Sequence, residues 1–516
     1  MTATAFTGGR ILTMDPARRS PEVVVVEADR IVAVGDRSLL DAHPGATPVD
    51  LAGATLAPGF IDAHNHLSIA ALDPRFRDVS RAATTEELLT AVRAQAEAEP
   101  EAEWVRVIGW NETATGLRPT RAELDSLGLD RPVVLVHYTL HQCLVSSLGL
   151  DRLGIGRGTP DPPGGEIERD RQGEPTGVLL ERAWSLAHAR SLAPCTDPDR
   201  WAEHIAARAR VLHRYGITAV HDAACSPEAE AVYRAMADAH ELPVSVLAMP
   251  HAAELLMNGV GPRLDGPRTG EGDEWLRTGA VKCFADGGAS IAIDVTVDGH
   301  RLRFGIRMED LAEHARAAVT AGFRIGVHAM GNEGVRSCID AFRDAARARP
   351  ADDHRFRIEH AGLASPAQCR ELASIGAVAV VQPGFVDHVA HATGGAEFDG
   401  CAWLPFRDLA EAGVALAGSS DDPCAPVAPL WGSARGATRL AVDGTPLAPD
   451  QSVPFEDWLH AYTAGAAFAG GQEHERGRLA PGLRADLVVL RGTGTEWTVA
   501  ETWVAGARVH AAAGPD

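Results

Sequence analysis

Hydrophobic and polar positions alternate differently at the two ends and in the middle of this 516-residue chain. Both ends carry short apolar runs, rich in β-branched residues, that are separated by turn residues. Runs of this length between turns are typical of strands. We therefore predict that residues 1–56 and 475–516 pair into one small β-sandwich domain. The runs lie at residues 9–14, 22–27, 30–35, 485–490 and 501–509.

The middle of the chain repeats a short apolar run followed by a segment with helical periodicity. Residues 308–319 and 333–342 are two such helical segments. Eight strand–helix units in succession predict an α/β fold, a (β/α)8 TIM barrel, over residues 57–474. The predicted strands lie at residues 60–66, 216–222, 242–249, 280–286, 323–328, 356–360, 377–382 and 414–421.

The first two predicted barrel strands are far apart in the sequence. Roughly 150 residues separate them, whereas connections within a compact domain rarely exceed about 15 residues. We therefore predict a subdomain inserted after barrel strand one, over about residues 71–181.

Composition excludes several classes of partner and location. The chain has 48 basic and 70 acidic residues, a net charge of −22, and no basic cluster. This balance argues against nucleic acid and against an anionic membrane surface. No apolar run reaches the ~18–20 residues of a membrane span, and the start lacks the features of a signal peptide. The eight cysteines are scattered without a Cys-x-x-Cys pair, so we expect a reduced, cytoplasmic protein.

Two histidines close the first predicted barrel strand. His64 and His66 are two positions apart, so their side chains leave a strand on the same face. Two imidazoles directed at one point suit a divalent transition metal. The alternative is a pair of exposed loop histidines, because so short a motif is common by chance.

Four later strands end in a group that could bind a metal or move a proton: Lys282, His328, His360 and Asp421. In a barrel these groups gather at the C-terminal ends of the strands, where barrel enzymes place their chemistry. Taken singly, each also has a structural interpretation. The histidines could be hydrogen-bonded core residues, Lys282 could pair with Asp286, and Asp421 could cap a helix.

These residues resemble the amidohydrolase superfamily of metal-dependent hydrolases, which has the same pattern on strands one, four, five, six and eight. Within it, several segments are similar to the branch that contains N-substituted formamide deformylases (YtcJ-like proteins). The similar segments are residues 56–66, 108–112, 175–183, 282–287, 327–331, 357–361 and 381–383.

The resemblance implies one or two divalent metal ions, most often Zn²⁺. His64, His66 and Asp421 would bind the first ion. His328 and His360 would bind the second. A carbamate, formed from carbon dioxide and the neutral amine of Lys282, would bridge the two ions. A single-metal version, in which Lys282 stays a free amine, is left open.

The resemblance also implies a reaction. A bound metal lowers the pKa of water toward ~7, and Asp421 would pass a proton from that water to the leaving amine. The expected activity is hydrolysis of a carbon–nitrogen bond in a formamide, amide, carbamate or cyclic amide of a small molecule. Ester or lactone hydrolysis, a non-hydrolytic step, and a non-catalytic binding protein are the alternatives. Whether the protein is a homodimer is left open.

Residues outside the metal set are candidates for substrate contact. His141 in the insert could contact the substrate or an oxyanion, and Trp110 could form an aromatic wall, although either could be a core residue of the insert. Arg301, Arg303 and Arg439 could hold a substrate carboxylate, or they could form surface ion pairs. The segment after Asp286-Gly287 departs from the branch pattern, so the substrate does not follow from the resemblance.

Overall fold

The computed structural model describes residues 3–18, 20–251, 262–297, 299–350 and 353–512. Its strands, in chain order, are β1 Thr4–Thr7, β2 Arg10–Ile11, β3 Val23–Glu27, β4 Arg30–Gly35, β5 Thr47–Asp50, β6 Thr55–Pro58, β7 Phe60–Asn65, β8 Arg77–Asp78, β9 Val105–Trp110, β10 Val133–His137, β11 Gln142–Val145, β12 Gly165–Arg169, β13 Pro175–Glu181, β14 Ile217–Cys225, β15 Ser245–Pro250, β16 Leu276–Thr278, β17 Val281–Phe284, β18 Ile293–Val297, β19 His300–Phe304, β20 Ile325–Ala329, β21 Arg357–His360, β22 Leu363–Ala364, β23 Val378–Val381, β24 Ala402–Trp403, β25 Ala415–Gly418, β26 Leu487–Thr493, β27 Glu496–Val504 and β28 Ala507–Ala511.

The α-helices include both helical segments that the sequence predicts, residues 308–319 and 333–342. They are α1 Ser38–Ala42, α2 Leu67–Ala70, α3 Thr85–Ala98, α4 Glu112–Thr115, α5 Arg121–Asp125, α6 Ser147–Leu153, α7 Arg182–Leu192, α8 Pro198–Arg214, α9 Pro227–Asp238, α10 Leu311–Thr320, α11 Asn332–Ala346, α12 Pro366–Ser374, α13 Phe385–Thr393, α14 Phe406–Glu411, α15 Pro429–Thr438, α16 Phe455–His460 and α17 Ala466–Gly470. Among the described residues, no helix has both the length and the apolar character that crossing a bilayer requires.

Parallel strands in two adjacent sheets form the centre of the molecule. One sheet has the order β16-β15-β14-β7 and the other the order β17-β20-β21-β23-β25, and all of their pairings are parallel. Each of the eight predicted strands falls on a strand of these sheets. Every residue of β14 is buried, as expected of a parallel strand covered on both faces. The mixed α/β prediction is confirmed, and the parallel sheets are consistent with the predicted barrel.

The two ends of the chain meet in a β-sandwich, as predicted. One of its sheets has the order β4-β3-β1-β5, and the other joins the chain ends in the order β2-β6-β26-β27-β28. The register pairs Leu56 with Val489, and Phe6, Leu56 and Leu487 are buried together between the sheets. The domain boundaries at residues 56 and 475 stay predictions.

A six-stranded sheet, in the order β12-β13-β11-β10-β9-β8, lies between β7 and β14 in the sequence. It has a hydrophobic cluster of its own, which includes Val92, Val107 and Leu135. This sheet occupies the segment where the long gap predicts an insert, and the limits at residues 71 and 181 stay predictions. Its strand β13 ends next to the barrel, and this position brings residues of the insert to the site described below.

Candidate metal centre

His64, His66 and Asp421 each direct one ligand atom at a common point. These three atoms lie within 4.8 Å of one another. Asp421 Oδ1 is 3.1 Å from His66 Nε2 and 3.4 Å from His64 Nε2. All three side chains are buried. Two imidazole nitrogens and one carboxylate oxygen at this spacing form a donor set that suits a divalent transition metal.

The far side of each imidazole is engaged by another group. His64 Nδ1 donates to Glu359 Oε2 at 2.6 Å, and His66 Nδ1 donates to the carbonyl oxygen of Ala223 at 2.8 Å. Because Nδ1 carries the proton, Nε2 is left with a free electron pair. Metal-binding histidines are ordinarily held in this way.

The loop after β25 is fastened to the end of β7, and this contact aims Asp421. The backbone N–H of Asp421 donates to the carbonyl oxygen of His64 at 2.8 Å. The backbone N–H of His66 donates to the carbonyl oxygen of Asp422 at 2.9 Å. Asp421 has a left-handed backbone with a φ of 62°. Non-glycine residues rarely adopt this conformation, and here the two hydrogen bonds hold it.

Lys282 is buried beside this group. Its Nζ lies 3.3 Å from His64 Nε2 and 5.1 Å from the ring centre of Phe284. Burial lowers the pKa of Lys282 to about 8, although the nearby Glu359 and Asp421 carboxylates oppose that shift. The neutral amine, which is the form that reacts with carbon dioxide, is therefore accessible near neutral pH.

His328 and His360 complete the cluster, with their ring centres 4.6 Å apart. His360 Nδ1 is 2.8 Å from Gln382 Oε1, while the buried His328 Nε2 has no hydrogen-bond partner among the described residues. Burial lowers the pKa of His360 to about 4 and that of His328 well below its ordinary value. Both rings are therefore neutral, which is the metal-binding form, and the unpaired Nε2 of His328 has an electron pair that suits a metal ion.

The six predicted residues enclose one small void of about 20 Å³. A space of roughly 10–15 Å³ already holds one water molecule, so the void is of the size that an ion with its ligands requires. The structure therefore brings together side chains that are as far apart in the sequence as His64 and Asp421. The six that line the void are His64, His66, Lys282, His328, His360 and Asp421.

Glu359 is a residue of the site that the sequence analysis missed. It is buried between His64 and Arg357, whose Nε donates to its Oε1 at 2.9 Å. Burial alone would raise the pKa of Glu359, but Arg357 and His64 hold it well below the ordinary value. The available signal is its spacing. Arg357 and Glu359 are two charged residues on one face of β21, and all four residues of this strand are buried.

The two predicted substrate contacts lie in different places. The ring of His141 is 5.1 Å from that of His328 and lines the void. Trp110 instead packs in the core of the insert, where its Nε1 donates to the carbonyl oxygen of Leu117 at 3.1 Å. Trp110 lines neither the void nor the larger cavity, of about 470 Å³, that adjoins the void. The contact predicted for His141 thus has a matching position, whereas that of Trp110 does not.

Two possibilities raised by the sequence, a Lys282–Asp286 pair and a substrate contact by Arg439, do not match the contacts. Asp286 does not pair with Lys282; it accepts backbone N–H groups from Ala292, Met330 and Gly331. Arg439 is fully buried, and its guanidinium donates to the carbonyl oxygens of Leu447 and Trp403 at 2.9 Å each. This arginine holds the backbone together and is not available to a substrate carboxylate.

The two remaining arginines lie on an exposed strand, β19. Arg301 Nε donates to Asp294 Oδ1 at 2.6 Å, which makes it the surface ion pair of the alternative interpretation. Arg303 lies on the same exposed strand. Neither residue lines the cavity beside the metal centre.

Comparisons with known proteins identify relatives of this chain. A family model described as the amidohydrolase family matches residues 48–510. The chain is 34% identical over 500 residues to N-substituted formamide deformylase from Arthrobacter pascens, covering 93% of this chain and 92% of that protein. It is 28% identical over 512 residues to the putative amidohydrolase YtcJ of Bacillus subtilis (strain 168), covering 94% and 93%.

A solved structure supports the fold. The crystal structure of an uncharacterized metal-dependent hydrolase from Pyrococcus horikoshii OT3 matches with a TM-score of 0.73 at 22% identity, covering 95% of this chain and 98% of that one. The family match extends over the barrel, the insert and the C-terminal strands of the β-sandwich. The resemblance drawn from the sequence is confirmed, and this chain belongs to the amidohydrolase family.

Proposed function

We propose that this hydrolase cleaves a carbon–nitrogen bond of a small neutral molecule: a formamide, or another amide, carbamate or cyclic amide. The observation that carries the proposal is the position of Asp421. Its carboxylate belongs to the cluster of potential metal ligands and also lines the adjacent cavity of about 470 Å³. A proton-accepting group is thus present where the metal centre meets the space for a substrate.

The chain offers ligands of the kind that Zn²⁺ prefers. His64, His66 and Asp421 would hold one ion, and His328, His360 and Lys282 are available for a second. When bound, such an ion lowers the pKa of water and polarises a carbonyl oxygen.

Asp421 supplies the proton transfer. Burial alone would raise its pKa, but the adjacent imidazole of His66 and the neighbouring His64 and His360 hold it well below the ordinary value. The carboxylate is therefore ionised at neutral pH and can accept a proton from water. It then returns that proton to the leaving nitrogen, and the amine departs uncharged.

The cavity beside the metal centre indicates the kind of substrate. Its volume falls within the range of small-molecule sites, and none of the described residues that line it is a lysine or an arginine. Away from the metal ligands, a substrate carboxylate would be desolvated there without a lysine or arginine as counter-charge. An apolar, uncharged substituent fits the walls, which include Ile291, Ile293, Phe304, Met330, Phe385, Val389, Phe398 and Trp403.

The direct test is product analysis with the Zn²⁺-loaded protein. N-substituted formamides with apolar substituents are compared with formate esters of the same substituents. We expect formate and amine in equal amounts from the formamides. Ester cleavage without any release of amine would overturn the proposal and favour the ester or lactone alternative, and no turnover of either would favour a binding protein.

Asp421→Asn tests the proton transfer within the same assay. The amide keeps the shape of the side chain but is not a base, so kcat should fall by about 10²- to 10⁴-fold. Glu411→Gln is the matched control, because Glu411 is 63% exposed and its ion-pair partner among the described residues is Arg407. Full activity of Asp421→Asn, with its metal content measured in parallel, would contradict the mechanism.

A further inference from the structure

A histidine–glutamate pair of the insert lies against the metal centre. His141 precedes β11, and Glu181 is the last residue of β13. His141 Nδ1 is 2.7 Å from Glu181 Oε2, and the backbone N–H of Glu181 donates to the carbonyl oxygen of His141 at 2.8 Å. The two residues are therefore held side by side by main chain and side chain together.

The barrel fixes the Glu181 carboxylate. Three successive backbone N–H groups of the loop after β17 donate to it: Gly288 at 3.3 Å, Ala289 at 2.9 Å and Ser290 at 2.8 Å. Glu181 is buried, and its backbone adopts a left-handed φ of 52°. A carboxylate with this many donors has one orientation, so the imidazole bonded to it has one orientation as well.

The same loop leaves room for the pair. A Cβ atom on Gly287 would overlap the carboxylate of Glu181, and one on Gly288 would overlap the ring of His141. Only glycine allows the backbone to come this close to both side chains. The loop that departs from the branch pattern in sequence is therefore shaped around these two residues.

His141 is also the point at which three spaces meet. It lines the void of the metal centre, the cavity of about 470 Å³, and a smaller cavity of about 50 Å³ behind Lys282. Because Glu181 occupies Nδ1, Nε2 is the ring nitrogen that is left for a ligand. Asp421 lines the same void and the same large cavity, so a substrate between them would contact both groups.

We propose that His141 forms a hydrogen bond through Nε2 with the scissile amide group of the substrate. Glu181 is then the positioning residue that holds the ring in place. This inference rests on the proposed function and deepens it. The insert then completes the active site, because it supplies the group that aligns the amide with the metal centre.

The test uses the Zn²⁺-loaded full chain with His141→Ala, Glu181→Gln and the double variant. Each single change should lower kcat/KM by roughly 10- to 100-fold, since it removes or misaligns one hydrogen bond to the reacting group. The double variant should lose no more than His141→Ala alone, because Glu181 acts through His141. Losses that multiply in the double variant would overturn the positioning role.

Three further measurements separate positioning from general damage. The zinc content per chain should stay at the wild-type level in each single variant. His141→Asn, which keeps a side chain able to exchange a hydrogen bond, should recover part of the activity that His141→Ala loses. Glu166→Gln, at an exposed position on β12 of the same sheet, should leave the activity unchanged. Loss of zinc in the His141 and Glu181 variants would overturn the assignment in favour of a structural role.

A binding measurement keeps this inference distinct from the proposed function. A neutral urea with apolar N-substituents presents the same amide-like edge but resists hydrolysis. We expect its dissociation constant to rise roughly tenfold in His141→Ala and in Glu181→Gln, as the loss of one hydrogen bond predicts. If the wild type binds the urea in this way but cleaves no amide, only the proposed function fails. If wild-type amidase activity and urea affinity both survive in the variants, the inference fails.

Discussion

At the scale of single residues, the metal centre depends on the buried carboxylate of Glu359, which does not line the void between the metal ligands. Glu359 links the metal-facing His64 to Arg357, and Arg357 Nη2 donates in turn to the carbonyl oxygen of Ala63 at 2.7 Å. The carboxylate therefore sets which nitrogen of His64 carries the proton and anchors that strand end. Changing such a partner typically costs about 10- to 100-fold in metal affinity.

Glu359→Gln should weaken metal binding. The amide keeps the size of the side chain but removes the negative charge that both His64 and Arg357 use, so zinc affinity should fall by about 10- to 100-fold. Competition between the protein and a chelator of known affinity measures this change. Unaltered zinc affinity in a folded Glu359→Gln variant would show that His64 is oriented by other contacts.

Lys282 is the single lysine of the sequence, since all the other basic residues are arginines. Arginine cannot supply a neutral amine near neutral pH, whereas the pKa of Lys282 is lowered to about 8. Loading with ¹³C-labelled bicarbonate and zinc should therefore give one side-chain carbamate signal by NMR. The signal should grow as the pH rises toward and beyond 8, because the neutral amine becomes the main form there.

Lys282→Ala is the companion variant. It should abolish the carbamate signal and lower the zinc content per chain below that of the wild type. A wild-type protein without the signal, and a Lys282→Ala variant with unchanged zinc content, would favour the single-metal version with a free amine.

At the scale of elements, two outer helices are joined by one carboxylate. Glu371 on α12 accepts from Arg336 of α11 at 2.6 Å and pairs with Arg343 of α11 at 2.7 Å. The hydrogen bond with Arg336, helped by Arg343, lowers the pKa of Glu371 to about 2. Because the pKa in the folded state lies below the unfolded value, this contact stabilises the fold above pH ~4.5, and the stabilisation disappears as the pH falls toward 2.

Glu371→Gln should therefore reduce stability most at neutral pH, and the loss near pH 3 should be roughly half as large or less. All three side chains are about one-third exposed, so solvent screens the pairs and the expected loss at pH 7 is about 1 kcal/mol. Urea unfolding of the wild type and the variant at pH 7 and near pH 3 measures the difference. A loss that is equally large at both pH values would assign the effect to packing rather than charge.

At the scale of the whole molecule, buried arginines hold the terminal β-sandwich to the barrel. Arg476 Nη2 donates to the carbonyl oxygen of Glu274 at 2.7 Å, and the Arg484 guanidinium lies 3.9 Å from the ring centre of Trp275. Asp486 pairs with Arg484 at 3.2 Å and with Arg476 at 3.5 Å. Asp486 thus contacts both buried cations where the chain ends meet the barrel, and Glu274 pairs with Arg484 as well, at 3.6 Å.

Asp486→Ala should lower the free energy of unfolding by about 3–5 kcal/mol, because it leaves buried guanidinium groups without this counter-charge. The kcat of the folded variant should match the wild type, since Asp486 is not part of the metal centre. Glu496→Ala is the control, because Glu496 is exposed on β27 of the terminal β-sandwich. This change should affect stability little. Denaturant unfolding followed by activity measurement tests both points.

Much of this architecture follows from local sequence patterns. The alternation of apolar runs with helical segments predicts the parallel strands, because burial on both faces requires nearly continuous apolar residues. The His64–His66 spacing and the polar residues at four later strand ends predict a metal site, because the barrel topology brings strand ends to one face. Neither prediction needs to know which side chains touch.

Only the tertiary structure decided the contacts around that site. Glu359 and Glu181 reach histidines that are 295 and 40 positions away, and the left-handed backbone of Asp421 depends on a loop fastened to another strand. Trp110 packs in the insert rather than at the cavity. The partner of a buried polar side chain is set by how distant elements close around it, and no local pattern of residues encodes that closure.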